Sequence, residues 1–318
     1  GTFIGARMGR PEKAKMRKLT GSPQTLFPVG SEGGKMRSFQ AALGKGKIKG
    51  DFPVYVCECG KENIYPYCIA CGKKTEKKFY CKECGILDKE CEKHGSFGYR
   101  NYDLDIKEYF QHSLEQLQLQ EYPKLIKGVR GTSNQDHTPE NLVKGILRAI
   151  HELYVNKDGT IRYDATEMPI TAFTPEEINT SVEKLKILGY NKDVYGNELV
   201  DGKQVVELKC QDVILPGQES GEEGSDEVLF RVSKFIDDLL LYQYKAEGFY
   251  NLKSKSELVG HLILAIAPHI SAGIVCRIIG FSKTQGFYAH PMLHCAVRRD
   301  CFSYDTFLPV FDGKLWRN

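Results

Sequence analysis

The 318-residue sequence predicts an α+β protein that carries a small cysteine-rich module. Segments with strand and helix patterns follow one another without the regular alternation of a βαβ protein. Seven of the eleven cysteines are concentrated between Cys57 and Cys91. The hydrophobic content of 41% and the charged content of 27% are typical of a folded globular protein and exclude a chain that is disordered throughout.

The first fifty residues form a basic arm. They contain eleven Lys or Arg residues and two acidic residues, a local charge of +9, whereas the whole chain carries only +3. A basic arm on a mildly acidic body favours a polyanion bound at one place. Within residues 4–18, the cations Arg7, Arg10, Lys13 and Lys15 accompany two glycines. This pattern indicates a phosphate-facing loop, and the alternative is a solvated basic surface.

Residues 51–100 contain four short pairs of metal-ligand residues. In chain order the pairs are Cys57 with Cys59, Cys68 with Cys71, Cys81 with Cys84, and Cys91 with His94. Each pair fits a tight turn that points two side chains at one ion, and zinc prefers four such ligands in a tetrahedron. Eight ligands therefore predict two structural zinc ions, and the spacing leaves open which pairs share an ion. The module could contact nucleic acid or serve only as a strut.

The cysteine clustering, in a sequence without a recognisable signal peptide, favours metal binding in a reducing compartment over disulfides. We therefore expect a cytoplasmic protein. Residues 258–282 are the most apolar stretch, but they include Arg277 and two histidines. A charged residue in mid-bilayer is costly, so we interpret the stretch as buried core and expect no membrane association.

Between the module and this apolar stretch, the sequence predicts several helices. Apolar spacing near 3.6 residues indicates helices over 103–127, over about 138–154 and over 228–245. Another helix is predicted to begin at Thr174, with Pro175 in its first turn and Glu177 completing a capping box, and to end at Gly189. Strands are predicted within 157–170 and 205–216, and residues 217–227 read as an acidic loop.

Beyond these patterns, the sequence resembles the large subunit of archaeal family D DNA polymerase, also called DNA polymerase II. The resemblance rests on several long runs in the same order: GARMGRPEKAKMR (5–17), DGTIRYDATEMPITAFTPEEINTSVEKLKILGY (158–190), LKCQDVILP (208–216), RVSKFIDDLL (231–240), GHLILAIAPHISAGIVCRIIGF (260–281) and HPMLHCAVRRD (290–300). It covers nearly the whole chain.

The resemblance implies a replicative, template-directed DNA polymerase with a core of two double-psi β-barrels and zinc-binding modules around them. It assigns residues 1–50 to the first barrel region, 101–205 to a connecting region and 206–300 to the second barrel region. His269, Arg298 and Arg299 become candidate DNA- or nucleotide-binding residues, although His269 could equally be a core histidine. Implied partners are primer–template DNA, deoxynucleotides, Mg²⁺, a small subunit with 3′–5′ exonuclease activity, and a sliding clamp.

The sequence departs from the family directly after Asp300. There the family has a C-D-G-D-E-D motif whose aspartates hold two catalytic Mg²⁺ ions, whereas this chain continues with Cys301 and FSYDT. Residues 301–314 resemble the first block of an intein, in which Cys301 would be the splicing nucleophile. We therefore expect residues 301–318 to begin an intein, to pack poorly on the barrel, and to leave this fragment inactive alone.

Two alternatives remain from the sequence. The chain could be a degenerate polymerase copy, or a non-catalytic zinc-dependent module that binds DNA or acts as a scaffold. A subunit of the RNA polymerase type is a third hypothesis, and the wording of the motifs disfavours it.

Overall fold

The computed structural model describes residues 22–132, 134–217, 223–267 and 273–297, together with the backbone of residues 301–305. These residues belong to two compact units. The N-terminal unit comprises the described residues up to Gly159 and Asp238–Gly248, and the barrel unit comprises Thr160–Asp237 and the described residues from Phe249 onward.

Among the residues described, the N-terminal unit holds three complete helices, the last part of a fourth and several antiparallel strands. Its complete helices are α1 (Phe39–Lys45), α2 (Ile106–Leu117) and α3 (Leu142–Ile150). Its strands are β1 (Lys47–Pro53), β2 (Tyr55–Val56), β3 (Glu62–Asn63), β4 (Glu76–Lys77), β5 (Phe79–Cys81), β6 (Gly85–Leu87) and β7 (Tyr99–Asp105). Strand β1 pairs with β7 along its full length, from Lys47 opposite Asp105 to Pro53 opposite Tyr99. The β1–β7 ribbon therefore brackets the cysteine-rich module in the sequence.

Helices α2 and α3 confirm the predicted helical patterns but begin later and end earlier than predicted. Asp105 caps α2 by accepting a hydrogen bond from the Lys107 backbone N–H, and Asn141 caps α3 in the same way through Val143. Helix α2 ends at Gln118, whose φ of 55° is left-handed. The first three residues of the predicted helix, 103–105, therefore belong to β7. Aspartate is more favourable as an N-cap than inside a helix, which explains why the helix begins directly after Asp105.

The barrel unit contains eight strands and three α-helices among the residues described. Its strands are β8 (Arg162–Pro169), β9 (Ala172–Phe173), β10 (Val206–Glu207), β11 (Asp212–Pro216), β12 (Leu262–Ile266), β13 (Ile274–Ser282), β14 (Gly286–Ala289) and β15 (Cys301–Asp305). Its helices are α4 (Val182–Ile187), α5 (Ser225–Tyr244, which continues past Asp237), α6 (Pro291–Val297) and a 3-10 turn (Lys255–Leu258).

Six of these strands close into a barrel. The order around it is β11, β13, β12, β15, β8 and β14, with β14 returning to β11. The pairs β11–β13 and β8–β14 are parallel, and the other four pairs are antiparallel. Closure leaves no open sheet edge, which is one way that β-rich proteins avoid unwanted pairing. The structure therefore confirms a mixed protein of strands and helices built on a curled sheet.

The apolar stretch 258–282 lies in this barrel, as the interpretation as buried core predicts. Ile263, Ala265, Cys276 and Ile278 are each no more than 3% exposed. In the part of the chain that the structure describes, no helix is both long and apolar enough to span a bilayer.

The predicted helix at Thr174 begins seven residues late, which corrects the sequence prediction. The capping contact itself forms, because the Thr174 backbone N–H donates to the Glu177 carboxylate at 3.0 Å. However, Asn179 adopts a left-handed φ of 51° and ends this turn. Helix α4 then starts from Ser181, whose hydroxyl accepts from the Lys184 N–H. Gly189, with φ of 91°, ends the helical segment as predicted.

Strand β15 corrects a second expectation. The backbone of Cys301–Asp305 pairs with β8 on one side and with β12 on the other, so these five residues lack no partner strand, contrary to the expectation. The physical reason is that β8 and β12 would otherwise each present an unpaired row of N–H and C=O groups, and backbone pairing places few demands on the side chains. Residues 306–318 lie outside the described part of the chain.

Candidate metal centres

The first candidate metal centre is a quartet of cysteines. The sulfur atoms of Cys57 and Cys71 are 3.4 Å apart, those of Cys59 and Cys68 are 3.7 Å apart, and those of Cys59 and Cys71 are 3.9 Å apart. All four sulfurs lie within 4.8 Å of one another. Cys57 and Cys68 are buried and the other two are exposed, so the quartet is half embedded in the N-terminal unit.

The second candidate metal centre combines three cysteines with one histidine. The Cys84 sulfur lies 4.0 Å from the Cys91 sulfur and 3.5 Å from Nδ1 of His94, and Cys91 lies 3.8 Å from the same nitrogen. Cys81, buried at the end of β5, completes the group within the same 4.8 Å limit.

The spacing of these atoms fits tetrahedral coordination. With Zn–S bonds of about 2.3 Å, the edge of a regular ZnS₄ tetrahedron is about 3.8 Å, which matches the sulfur–sulfur distances. A disulfide would need sulfurs about 2.05 Å apart, so these cysteines are not paired as disulfides. Both groups could hold a metal ion, and the donor sets of four thiols and of three thiols with one imidazole are those of structural zinc sites.

The structure brings the ligands together in chain order. The first two pairs form one quartet and the last two pairs form the other. Sequence spacing alone could not choose between this partition and a crossed one. Each pair is followed by a glycine with positive φ: Gly60, Gly72, Gly85 and Gly95. These glycines let the chain turn tightly after the ligand pair, because other residues rarely adopt that conformation.

Backbone N–H groups in the turns favour the thiolate form of two ligands. The N–H groups of His94 and Lys93 point at the Cys91 sulfur and lower its pKa to about 7. At Cys68, burial opposes ionisation, but the N–H groups of Cys71 and Ala70 prevail and lower the pKa to about 6. Since the thiolate is the metal ligand, these contacts favour coordination by Cys91 and Cys68. The hydrogen bond with Cys81 raises the pKa of Cys84 to about 11, and at Cys57 the Cys59 N–H lowers the pKa but burial and the neighbouring thiols raise it to about 12.

The other predicted site residues lie where the structure gives no side-chain description. Arg7, Arg10, Lys13, Lys15 and His269 are outside the described residues, as are Arg298 and Arg299. Their assignment to DNA or nucleotide binding stays a prediction.

The predicted splicing residue Cys301 is described through its backbone only. It begins β15, opposite Thr166 of β8. Asp305, at the other end of the strand, lies between Arg162 of β8 and Leu264 of β12. The strand that follows the HPMLHCAVRRD run is therefore a wall of the barrel, which is the position where the resemblance expects the acidic motif.

A polar network on the wall of the barrel was not predicted from the sequence. Asp212 of β11 is 4% exposed and accepts two hydrogen bonds from Arg277 of β13, at 2.9 and 2.7 Å, and one from the Tyr190 hydroxyl at 2.5 Å. The hydrogen bonds with Asp212 raise the pKa of Arg277, and burial raises the pKa of Tyr190. An aspartate within an otherwise apolar predicted strand was the signal that could have found this network.

The chain belongs to the family of DNA polymerase II large subunits. The family model described as "DNA polymerase II large subunit DP2, catalytic domain" matches residues 118–315, and that described as "DNA polymerase II large subunit DP2, central domain" matches residues 1–90. Together the two matches cover most of the sequence.

Individual relatives agree with this assignment. The DNA polymerase II large subunit of Archaeoglobus fulgidus is 46% identical over 98% of this chain and 28% of its own length. Those of Nanoarchaeum equitans and Thermococcus kodakarensis are 41% and 43% identical over 96% of this chain, and over 28% and 17% of their own lengths. The chain thus spans about a quarter of the length of the relatives that it matches.

Proposed function

We propose that this chain supplies part of the catalytic core of a replicative DNA-directed DNA polymerase. The reaction is template-directed nucleotidyl transfer from deoxynucleotides to a DNA primer, with Mg²⁺. The observation that carries the proposal is the closed barrel within the region that matches the family's catalytic domain. We assign this sheet to the second of two double-psi barrels, and residues 1–50 to the first barrel region.

The proposed assembly extends beyond this chain. It includes a small subunit that carries 3′–5′ exonuclease activity, and a sliding clamp. In this assembly the basic arm, through Arg7, Arg10, Lys13 and Lys15, contacts the DNA backbone or the incoming triphosphate. The two quartets hold structural zinc, since the four donors of each group leave no coordination position open for a substrate.

In this proposal, the metal-binding aspartates do not follow Asp300 directly, because an intein begins at Cys301 and separates them from it. In the first splicing step the Cys301 sulfur attacks the carbonyl carbon of Asp300. The peptide bond between the two residues breaks, a thioester forms, and the thiol proton passes to the released amino group of Cys301. The catalytic carboxylates would then join after Asp300 only when the intein is excised.

A second candidate is a degenerate, non-catalytic copy in which residues 301–305 are a permanent wall of the barrel. Two observations favour it: strand β15 pairs with both of its neighbours, and the family match runs on to residue 315. The two candidates differ at one peptide bond, so one experiment separates them.

The test is co-expression with the downstream gene product, followed by mass spectrometry across the Asp300 junction. Splicing gives a peptide that reads from Asp300 directly into an acidic C-D-G-D sequence. Cys301→Ala should abolish that peptide, whereas Cys295→Ala, which changes an exposed cysteine of α6, should leave it intact. A mature protein that keeps residues 302–318 would refute the intein and support the degenerate copy.

A further inference from the structure

The exposed ring of Phe97 lies in the second half of the cysteine-rich module. Its residue is 56% exposed, although a phenylalanine of a folded protein is usually covered. The ring does not stand alone. The centroid of the Tyr99 ring lies 5.4 Å from that of Phe97, and the centroid of the His137 ring lies 4.3 Å from that of Tyr99. We call these three rings, Phe97, Tyr99 and His137, the aromatic strip.

The backbone under this strip is hydrogen-bonded to the chain segments that carry the second candidate metal centre. Phe97 exchanges two backbone hydrogen bonds with Tyr80, at 2.8 and 3.0 Å, and Tyr80 directly precedes the ligand Cys81. On the other side, the backbone N–H of the ligand Cys91 donates to the Ser96 hydroxyl at 2.9 Å. A metal ion in this quartet would therefore hold both chain segments that carry the exposed ring. Such a ring is ordered before a ligand arrives, which lowers the entropy cost of binding.

Two cations next to the strip, Lys77 and Arg100, are compensated by carboxylates. Lys77 pairs with Asp136 at 2.8 Å beside Gly98, and Arg100 forms an ion pair with Glu62 while its guanidinium lies 4.5 Å from the centroid of the Tyr102 ring. These two cations therefore attract phosphate weakly. What this surface offers a ligand is contact with its aromatic rings.

We propose that the aromatic strip binds single-stranded nucleic acid by stacking an unpaired base on Phe97. Bases of every type offer a flat π face, and aromatic side chains on a rigid support are the usual platform for them. Duplex DNA buries those faces within its own base stack, so the strip discriminates single strands from duplex. This binding does not depend on nucleotidyl transfer. It gives the cysteine-rich module a role in nucleic-acid binding in addition to a structural one.

A local optical signal tests the proposal in the zinc-loaded 318-residue chain. In the Phe97→Trp variant, stacking of a base on the indole should quench its fluorescence when oligothymidylate is added. The wild-type chain, whose only tryptophan is Trp316, provides the background signal. An excess of unlabelled duplex DNA is present throughout, because it occupies the basic arm without offering unpaired bases.

Affinity measurements under the same conditions give the second readout. Phe97→Ala should weaken binding of fluorescein-labelled oligothymidylate by at least about fivefold, the loss expected for one stacked base. Tyr195→Ala removes an aromatic residue that is 84% exposed in the barrel unit, and it should change nothing. Salt should affect the strip's contribution little, since few phosphates are neutralised.

Zinc content keeps the result interpretable, since two zinc ions per chain in each variant show that the module has kept its fold. With zinc retained, unchanged affinity in Phe97→Ala or an unquenched indole would overturn the proposal and would leave the ring as a surface for a protein partner. A polymerase that fails to splice or to extend a primer would leave this binding result unaffected.

Discussion

At the scale of single residues, the most demanding feature of the N-terminal unit is a buried ion pair. Arg148 of α3 is 4% exposed and forms two hydrogen bonds with the Glu140 carboxylate, at 2.8 and 2.7 Å. The carboxylate also accepts from the Leu26 backbone N–H at 2.9 Å. Burial alone would raise the Glu140 pKa, but the charge and hydrogen bonds of Arg148, together with the Leu26 N–H, outweigh it, so the pKa is lowered.

We expect Arg148→Met to lower the free energy of unfolding at neutral pH by about 3–5 kcal/mol, because it leaves a buried carboxylate without its cation. The wild-type pair stabilises the fold above the usual carboxyl pKa, and this stabilisation is lost as the pH falls through the lowered pKa. In the variant, burial raises the Glu140 pKa, so the deficit should shrink in acid. Urea unfolding at neutral and acidic pH measures both effects.

Lys61→Met is the matched control. Lys61 forms an ion pair with Glu108 in the same unit, but both side chains are substantially exposed. Such a pair contributes no more than about 1 kcal/mol. An equal loss of stability in the two variants would show that Arg148 does not stabilise the fold through a buried charge.

At the scale of elements, the two candidate metal centres draw on separate segments of the sequence. Each quartet draws all its ligands from one continuous segment, residues 57–71 or residues 81–94. Because structural zinc contributes on the order of 10 kcal/mol to folding, loss of an ion should unfold mainly the turns that hold it.

Elemental analysis of the purified chain should find two zinc ions, and Cys68→Ser should reduce the count to one. The remaining ion belongs to the second quartet, since the partition is sequential. Cys210→Ser changes an exposed cysteine outside both quartets and should keep two ions. Loss of both ions in Cys68→Ser would contradict the independence of the centres, and no zinc in a folded sample would contradict the centres themselves.

Sequence reasoning was most successful for features that depend on neighbouring residues. Metal-ligand spacing, helical periodicity and the terminal Gly189 are of this kind. It failed at the start of α4, because nothing local shows that Asn179 will adopt a left-handed conformation. It also missed the Asp212–Arg277 pair, whose partners meet only through the parallel pairing of β11 with β13. Pairing between distant strands depends on the whole fold and leaves little trace in any short segment.

At the scale of the whole molecule, charge is distributed unevenly along the chain, with +9 in the first fifty residues against a total of +3. We expect Arg10→Ala and Lys13→Ala to weaken DNA binding and, for a residue that contacts one phosphate, to reduce the salt slope by about one unit. Fluorescence anisotropy with duplex DNA over a series of salt concentrations measures both quantities. Lys203→Ala, an exposed lysine of the barrel unit, should change neither.

Unchanged affinity and an unchanged slope in both arm variants would remove the basic arm from the DNA-binding surface. In the complete, spliced enzyme with its small subunit, the same two substitutions should strongly reduce primer extension. A loss of extension without a loss of DNA affinity would instead assign the residues to the incoming triphosphate.

Closure of the barrel by β15 also has a consequence during protein synthesis. The ribosome releases β8 and β12 before residues 301–305. Until β15 is made, the backbone groups of β8 and β12 that face it have no partner strand. Unpaired edges can pair with other nascent chains, and distant pairings form slowly. The protein is therefore most prone to aggregate between the release of β12 and the release of residues 301–305. Slower translation before residue 301 should lengthen this interval and increase the need for a chaperone.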